Sequence, residues 1–125
     1  MRTLTILILA TLSVGCSSRS ALDHHLDAAY QQYEAGNCAR VMLELSQAAR
    51  FSRPRDNLQP EISLLRGQCL EREGLFVDAA QTYRFIIEHH PASEYAYRSH
   101  ARLDTLRQLG HYRPDEPATS HAVKR

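Results

Sequence analysis

The sequence predicts an all-α fold built from helix-turn-helix units, and three observations carry that prediction. Apolar residues recur at spacings of three and four, as in Leu22, Leu26, Ala29, Tyr30 and Tyr33, and no period-two alternation is long enough to suggest a sheet. Glycine and proline fall at the joints of these periodic segments, at Gly36, Pro54, Pro60, Gly74, Pro91 and Gly110, where they open or close helices. The order helix, glycine turn, helix, proline then occurs again further along, which is the mark of a repeated unit.

The chain of 125 residues begins with Met1-Arg2 and an apolar run from Leu4 to Val14. One arginine, a short apolar segment and the small Gly15 lay out a secretory signal over residues 1–15, because a membrane span needs about 20 apolar residues. Cys16 follows directly, and Leu12-Ser13-Val14-Gly15-Cys16 resembles the lipobox of bacterial lipoproteins. The resemblance implies cleavage before Cys16 and acylation of that cysteine with palmitate-type chains. Residues 16–21 would then be the lipidated cysteine and a short polar tether. Ser17 after the cysteine, where an inner-membrane protein would have Asp, implies the outer membrane, with the domain facing the periplasm. The alternative is an ordinary signal peptide with Cys16 incidental.

The first helix of the domain is expected from Leu22 and is punctuated by Gly36-Asn37. Asn37 suits the N-cap of a second helix bearing Val41, Met42, Leu45, Ala48 and Ala49. The loop Ser52 to Asn57 contains Pro54, which cannot continue that helix. Pro60 fits the first turn of a third helix with Ile62, Leu64, Leu65, Cys69 and Leu70 as its apolar face. Gly74 breaks it, and Phe76, Ala79, Ala80, Tyr83, Ile86 and Ile87 make a fourth helix that Pro91 closes. A fifth runs from the N-cap Ser93 to Gly110, with Tyr97, Ala101 and Leu103 to Leu106 expected toward the core. Residues 110–125 hold two prolines, few large apolar residues and no period, and are expected to be a disordered or loosely attached tail.

Residues 60–91 resemble the tetratricopeptide repeat (TPR). Gly67 and Leu70 occupy its G-x₂-Y spacing, Ala79 and Tyr83 its A-x₃-F spacing, and Pro91 closes the unit, whereas Ser63 and Arg66 depart from the family's Trp and Leu. Moving back 38 residues from Gly74 to Gly36 gives a degenerate copy in which Ala29, Val41 and Leu45 stand for Gly67, Ala79 and Tyr83. The resemblance implies a short TPR-like solenoid over residues 22–109, made of two helix-turn-helix units and a C-terminal capping helix. About three such units are normally needed for stability, so a staple would help.

Removing residues 1–15 takes Arg2 from the 15 basic residues and leaves 14 against 14 acidic ones. A mature chain without net formal charge has no electrostatic footprint for nucleic acid, and no polybasic segment in the sequence to hold it on anionic lipid. Cys38 and Cys69 remain once Cys16 is assigned to lipid, and an even pair in an oxidising periplasm points to a disulfide. Two buried small hydrophobes are the alternative. The adjacent pairs His24-His25 and His89-His90 point about 100° apart on a helix and chelate poorly, so neither metal nor cofactor is expected. No phosphate loop, nucleophile elbow or acid pair indicates an enzyme; Glu71, Glu73 and Asp27 read as a solvated face.

In the TPR family the first helix of each unit lines a groove for a partner protein or peptide. Carried over by spacing, that groove takes Leu26, Tyr30 and Tyr33, then Leu64, Gln68 and Arg72, then Tyr95, Arg98 and Arg102. The Lys and Asn of the family's carboxylate clamp are absent, since Leu26 and Tyr30 stand there. The expected function is a scaffold or adaptor for another envelope protein in assembly or secretion, distantly similar to the BamD-type and pilotin-type lipoproteins. The alternative is a cell-wall or envelope-stress accessory factor with a small-ligand or enzymatic role at the groove.

Overall fold

The computed structural model describes residues 2–53 and 55–114, with side chains from residue 18 onward. The regular structure among the described residues is all helical: α1 (Arg2–Glu34), α2 (Cys38–Ser52), a single 3-10 turn (Asp56–Leu58), α3 (Gln59–Arg72), α4 (Phe76–His89) and α5 (Glu94–Gln108), with no strand among them. Each helix packs on its sequence neighbour, and α3 also touches α5.

The odd-numbered helices stop in one way. Gly36, Gly74 and Gly110 have φ of +77°, +76° and +75°, a left-handed conformation that residues with a Cβ adopt only under strain. At each stop the glycine N–H donates three residues back, to the carbonyls of Tyr33, Glu71 and Arg107. The next N–H donates five back, to Gln32, Leu70 and Leu106, at 2.9, 2.9 and 2.8 Å. This Schellman pattern satisfies carbonyls that a helix end otherwise leaves bare. The starts use side chains: Asn37 accepts from the Arg40 N–H and Ser93 from the Ala96 N–H, each at 3.1 Å. Pro60 sits in the first turn of α3. Between α2 and α3, Gln59 donates to the buried Ser52 hydroxyl at 2.6 Å and ties the loop shut.

Two apolar clusters fill the interior, and α3 divides them. Ile62, Leu65 and Cys69 join Leu22, Ala29, Cys38, Val41, Leu45 and Ala48 on one side. Leu64 joins Ala79, Ala80, Tyr83, Ile86, Ala96 and Leu106 on the other. Spacings of three and four set each stripe, so α3 is apolar on two opposite faces and buried between its neighbours. Tyr83 is fully buried against Gly67, where a Cβ would come within 2.6 Å of the Tyr83 ring. Cys38 and Cys69 lie at disulfide distance in the first cluster, with Cα atoms 5.4 Å apart, inside the range a disulfide requires.

Three expectations differ from the structure. The polar stretch 17–21 is part of α1 rather than a separate tether. Ser17 to Ala21 contains neither Gly nor Pro, and a helix already nucleated by its packed portion extends at little cost. In α5, Tyr97 is 79% exposed and Ala101 is also exposed, whereas Ala96, Ser99, Leu103 and Leu106 turn inward. The core stripe therefore follows small residues that permit close approach, one position away from the large tyrosine. Finally, the segment after Gly110 is in part docked: His111 stacks on Phe76 with centroids 3.9 Å apart, and Tyr112 packs on the second cluster. The rest of the expected tail, residues 115–125, lies outside the described residues, as does the Cys16 side chain.

Candidate functional site

Helices α1, α3 and α5 bring most of the groove residues onto one connected surface through two acidic side chains. Glu61 in the first turn of α3 accepts from the Tyr30 hydroxyl at 2.8 Å. Tyr95 lies beside the same carboxylate, and Arg98 sits 5.9 Å over the Tyr95 ring. The second acid, Glu71, accepts from the Tyr83 hydroxyl at 2.9 Å and from Arg102 Nε at 3.1 Å, while Arg102 Nη2 bonds its other oxygen. Such a forked guanidinium-carboxylate pair fixes orientation as well as charge. Arg72 spans α3 and α1, donating to the Tyr33 carbonyl at 2.5 Å with its guanidinium 3.9 Å over the Tyr33 ring.

The remaining groove residues divide by burial. Tyr30 is 37% exposed; Gln68 is half-buried, and Arg72 and Arg98 are exposed. Leu26 and Tyr33 pack partly against the first cluster. Leu64, only 2% exposed, belongs to the second cluster and offers no surface to a partner. A cavity of about 350 Å³ opens at the far end of this face, lined on its polar side by Gln68, Glu71, Arg72 and Arg102. Tyr33, Phe76, Leu106, Leu109 and His111 complete it.

Glu71 is more shielded than its charged neighbours in sequence imply. It was expected on a solvated face, yet its side chain is 13% exposed. It lies four residues after Gly67, hence on the same helix face, and that spacing is the signal that points it at Tyr83 and α5. Glu73 and Asp27 are exposed, in keeping with a solvated face. Among the histidines, His25 bonds Glu44 at 2.7 Å and stacks on Phe51, and His89 lies 2.9 Å from the Phe85 carbonyl. Among the described residues no three His, Cys, Asp or Glu side chains converge as a metal site would require.

The acids also set the tyrosine chemistry. Burial, and then the Glu71 carboxylate, raise the Tyr83 phenol well above its ordinary value. Burial followed by Glu61 does the same for Tyr30. Burial with Glu61 pushes Tyr95 up to about 12. Arg102 is raised by its bonds to Glu71. An unfolded tyrosine ionises near pH 10, so the unfolded state loses these protons first. Stability is therefore flat with respect to these groups below pH about 10 and falls as pH rises from there toward 12. Phenolate absorbance from the three should appear together with loss of helical circular dichroism. Their full ionisation in a chain that keeps its helicity would show that the contacts with Glu61 and Glu71 do not hold in solution.

Compared with models of known protein families, with curated proteins and with solved structures, the chain shows no significant match.

Proposed function

We propose that the protein is a TPR-like lipoprotein, acylated at Cys16 and held at the outer membrane facing the periplasm, where it serves as an adaptor for another envelope protein. Two features support the repeat reading. The paired positions Ala29 and Gly67, Val41 and Ala79, and Leu45 and Tyr83 are all buried, and the glycine stops at 36, 74 and 110 share one geometry. The partner would lie along the face of α1, α3 and α5. The observation that carries this is the run of half-exposed Tyr, Gln and Arg side chains across three helices into one cavity. Tyrosine and arginine bring large contact area with a polar tip, and they dominate interface hot spots.

The small-ligand alternative calls for ionisable groups converging on the cavity. Glu71, the carboxylate there, is already engaged by Arg102 and Tyr83, which favours the adaptor. A photo-crosslinking residue at Gln68 or at Arg98 should trap the same envelope protein in intact cells, and the Cys16→Ser form should lose it. The same residue at Leu43, exposed on α2, should not trap it. Equal yields from all three positions would sink the assignment of the face.

A further inference from the structure

The antiparallel packing of α1 and α2 brings the end of α2 beside the part of α1 nearest Cys16. His25 stacks on Phe51 with centroids 5.9 Å apart, and Leu22, Ala48, Phe51 and Leu58 share one cluster. The corner where α1 enters and α2 ends carries Arg19, Arg50, Arg53 and Arg55 against Asp23 and Asp56, with Glu61 in the adjoining first turn of α3 engaged by the Tyr30 hydroxyl. Arg19, Arg50 and Arg53 are exposed and Arg55 is half-buried. None of the four is in an ion pair among the described residues. The α4–α5 turn at the same end is mixed, with His89 and His90 beside Glu88 and Glu94. A chain whose charges balance overall thus has four arginines, in no ion pair among the described residues, grouped where its N-terminal helix enters.

Helix α1 is unbroken from Arg2 to Glu34, so Cys16 joins the domain through helix. Six residues separate Cys16 from the buried Leu22, a rise of about 9 Å. That is close to one Debye length of about 8 Å in physiological salt, the range over which an anionic lipid surface attracts basic side chains.

We infer that the edge formed by Arg19, Arg50, Arg53 and Arg55 is a membrane-facing surface that contacts anionic phospholipid head groups. This rests on the reading of Cys16 as the acylated residue. The anchor supplies attachment, and the arginines with the stiff helix supply orientation. The domain then stands with its α1–α2 end down and the cavity end, near Gly110, away from the bilayer. A partner would reach that cavity without displacing lipid.

The chain has no tryptophan, so a single introduced indole reports alone. Asn57→Trp places it at the arginine end and Gln108→Trp at the far end. Acylated protein is reconstituted in phosphatidylcholine vesicles, with or without phosphatidylglycerol, each bearing a head-group nitroxide lipid. At low salt the Asn57→Trp indole should be quenched at least about twofold more on phosphatidylglycerol vesicles, and high salt should remove the difference. Arg50→Gln, Arg53→Gln and Arg55→Gln together should also remove it, with circular dichroism unchanged. The Gln108→Trp indole should stay unquenched on both vesicles. Flotation and the mass of the N-terminal peptide read the anchor separately. Acylated protein that floats but is quenched equally on both vesicles overturns the arginine contact and leaves the anchor standing. A chain without acyl groups at Cys16 overturns the anchor, and this proposal with it.

Discussion

Tyr83→Ala is expected to cost about 3–5 kcal/mol, the range for removing a large aromatic from a packed core. The ring is fully buried between α3 and α4, and its hydroxyl is one of the groups that hold Glu71. Truncation therefore opens a cavity and loosens the link from α3 to α5 in one step. The neighbouring glycine gives a sharper test because its effect should change sign. In the native protein Gly67→Ala drives a methyl to 2.6 Å from the Tyr83 ring, and overpacking of this kind costs about 1–3 kcal/mol. Once Tyr83 is alanine the space is free. Gly67→Ala should then stabilise, since alanine exceeds glycine by about 1 kcal/mol in a helix interior. Urea unfolding of the two single variants and the double variant measures this coupling. A double variant that only sums two losses would mean the helices do not approach at Gly67.

Loss of the link between Cys38 and Cys69 is the second large effect expected. The two residues are 31 apart in sequence, and closing a loop of that length is worth about 3 to 4 kcal/mol on the chain-entropy model. For two helical pairs and one further helix, where small domains bury a limited share of their surface, that is a large part of total stability. Protein isolated from an oxidising compartment should resist thiol alkylation until it is both unfolded and reduced, and its urea midpoint should drop on reduction. Two alkylated thiols in the denatured, unreduced sample would rule the bond out. The pair joins the start of α2 to the end of α3, helices that the proposed repeat reading assigns to different units. On that reading the bond would be an inter-unit staple, which a short array with few neighbours otherwise lacks.

Helix ends were readable from the sequence because each depends on one residue with a local mechanism. Asn37 and Ser93 accept from nearby N–H groups, Pro60 needs no donor, and Gly36, Gly74 and Gly110 tolerate positive φ. The core faces of α2 to α4 followed from periodicity for the same reason. What was not readable depends on where a second helix lies. Glu71 is polar and sits among charged neighbours; only the arrival of Tyr83 and Arg102 from α4 and α5 turns it from solvated to shielded. Tyr97 and Ala96 are adjacent, so hydrophobicity alone favours the tyrosine, while close packing of α5 selects the alanine. In the groove, Leu64 shows the same limit: spacing gives its helix but not which of two apolar faces is covered. The start of α1 was missed because a stop needs a breaker, and Ser17 to Ala21 holds none.

The two-sided burial of α3 also sets how the molecule can come apart. A helix with one apolar face can be peeled from its neighbour and leave the remainder intact. Here Ile62, Leu65 and Cys69 complete one cluster and Leu64 and Gly67 complete the other, so neither half retains a closed interior when α3 leaves. Local opening is confined to segments that contribute little to either cluster. A row of independent helical hairpins would melt one by one; with a single shared wall, this domain is closer to an arch, in which the keystone decides the fate of both sides.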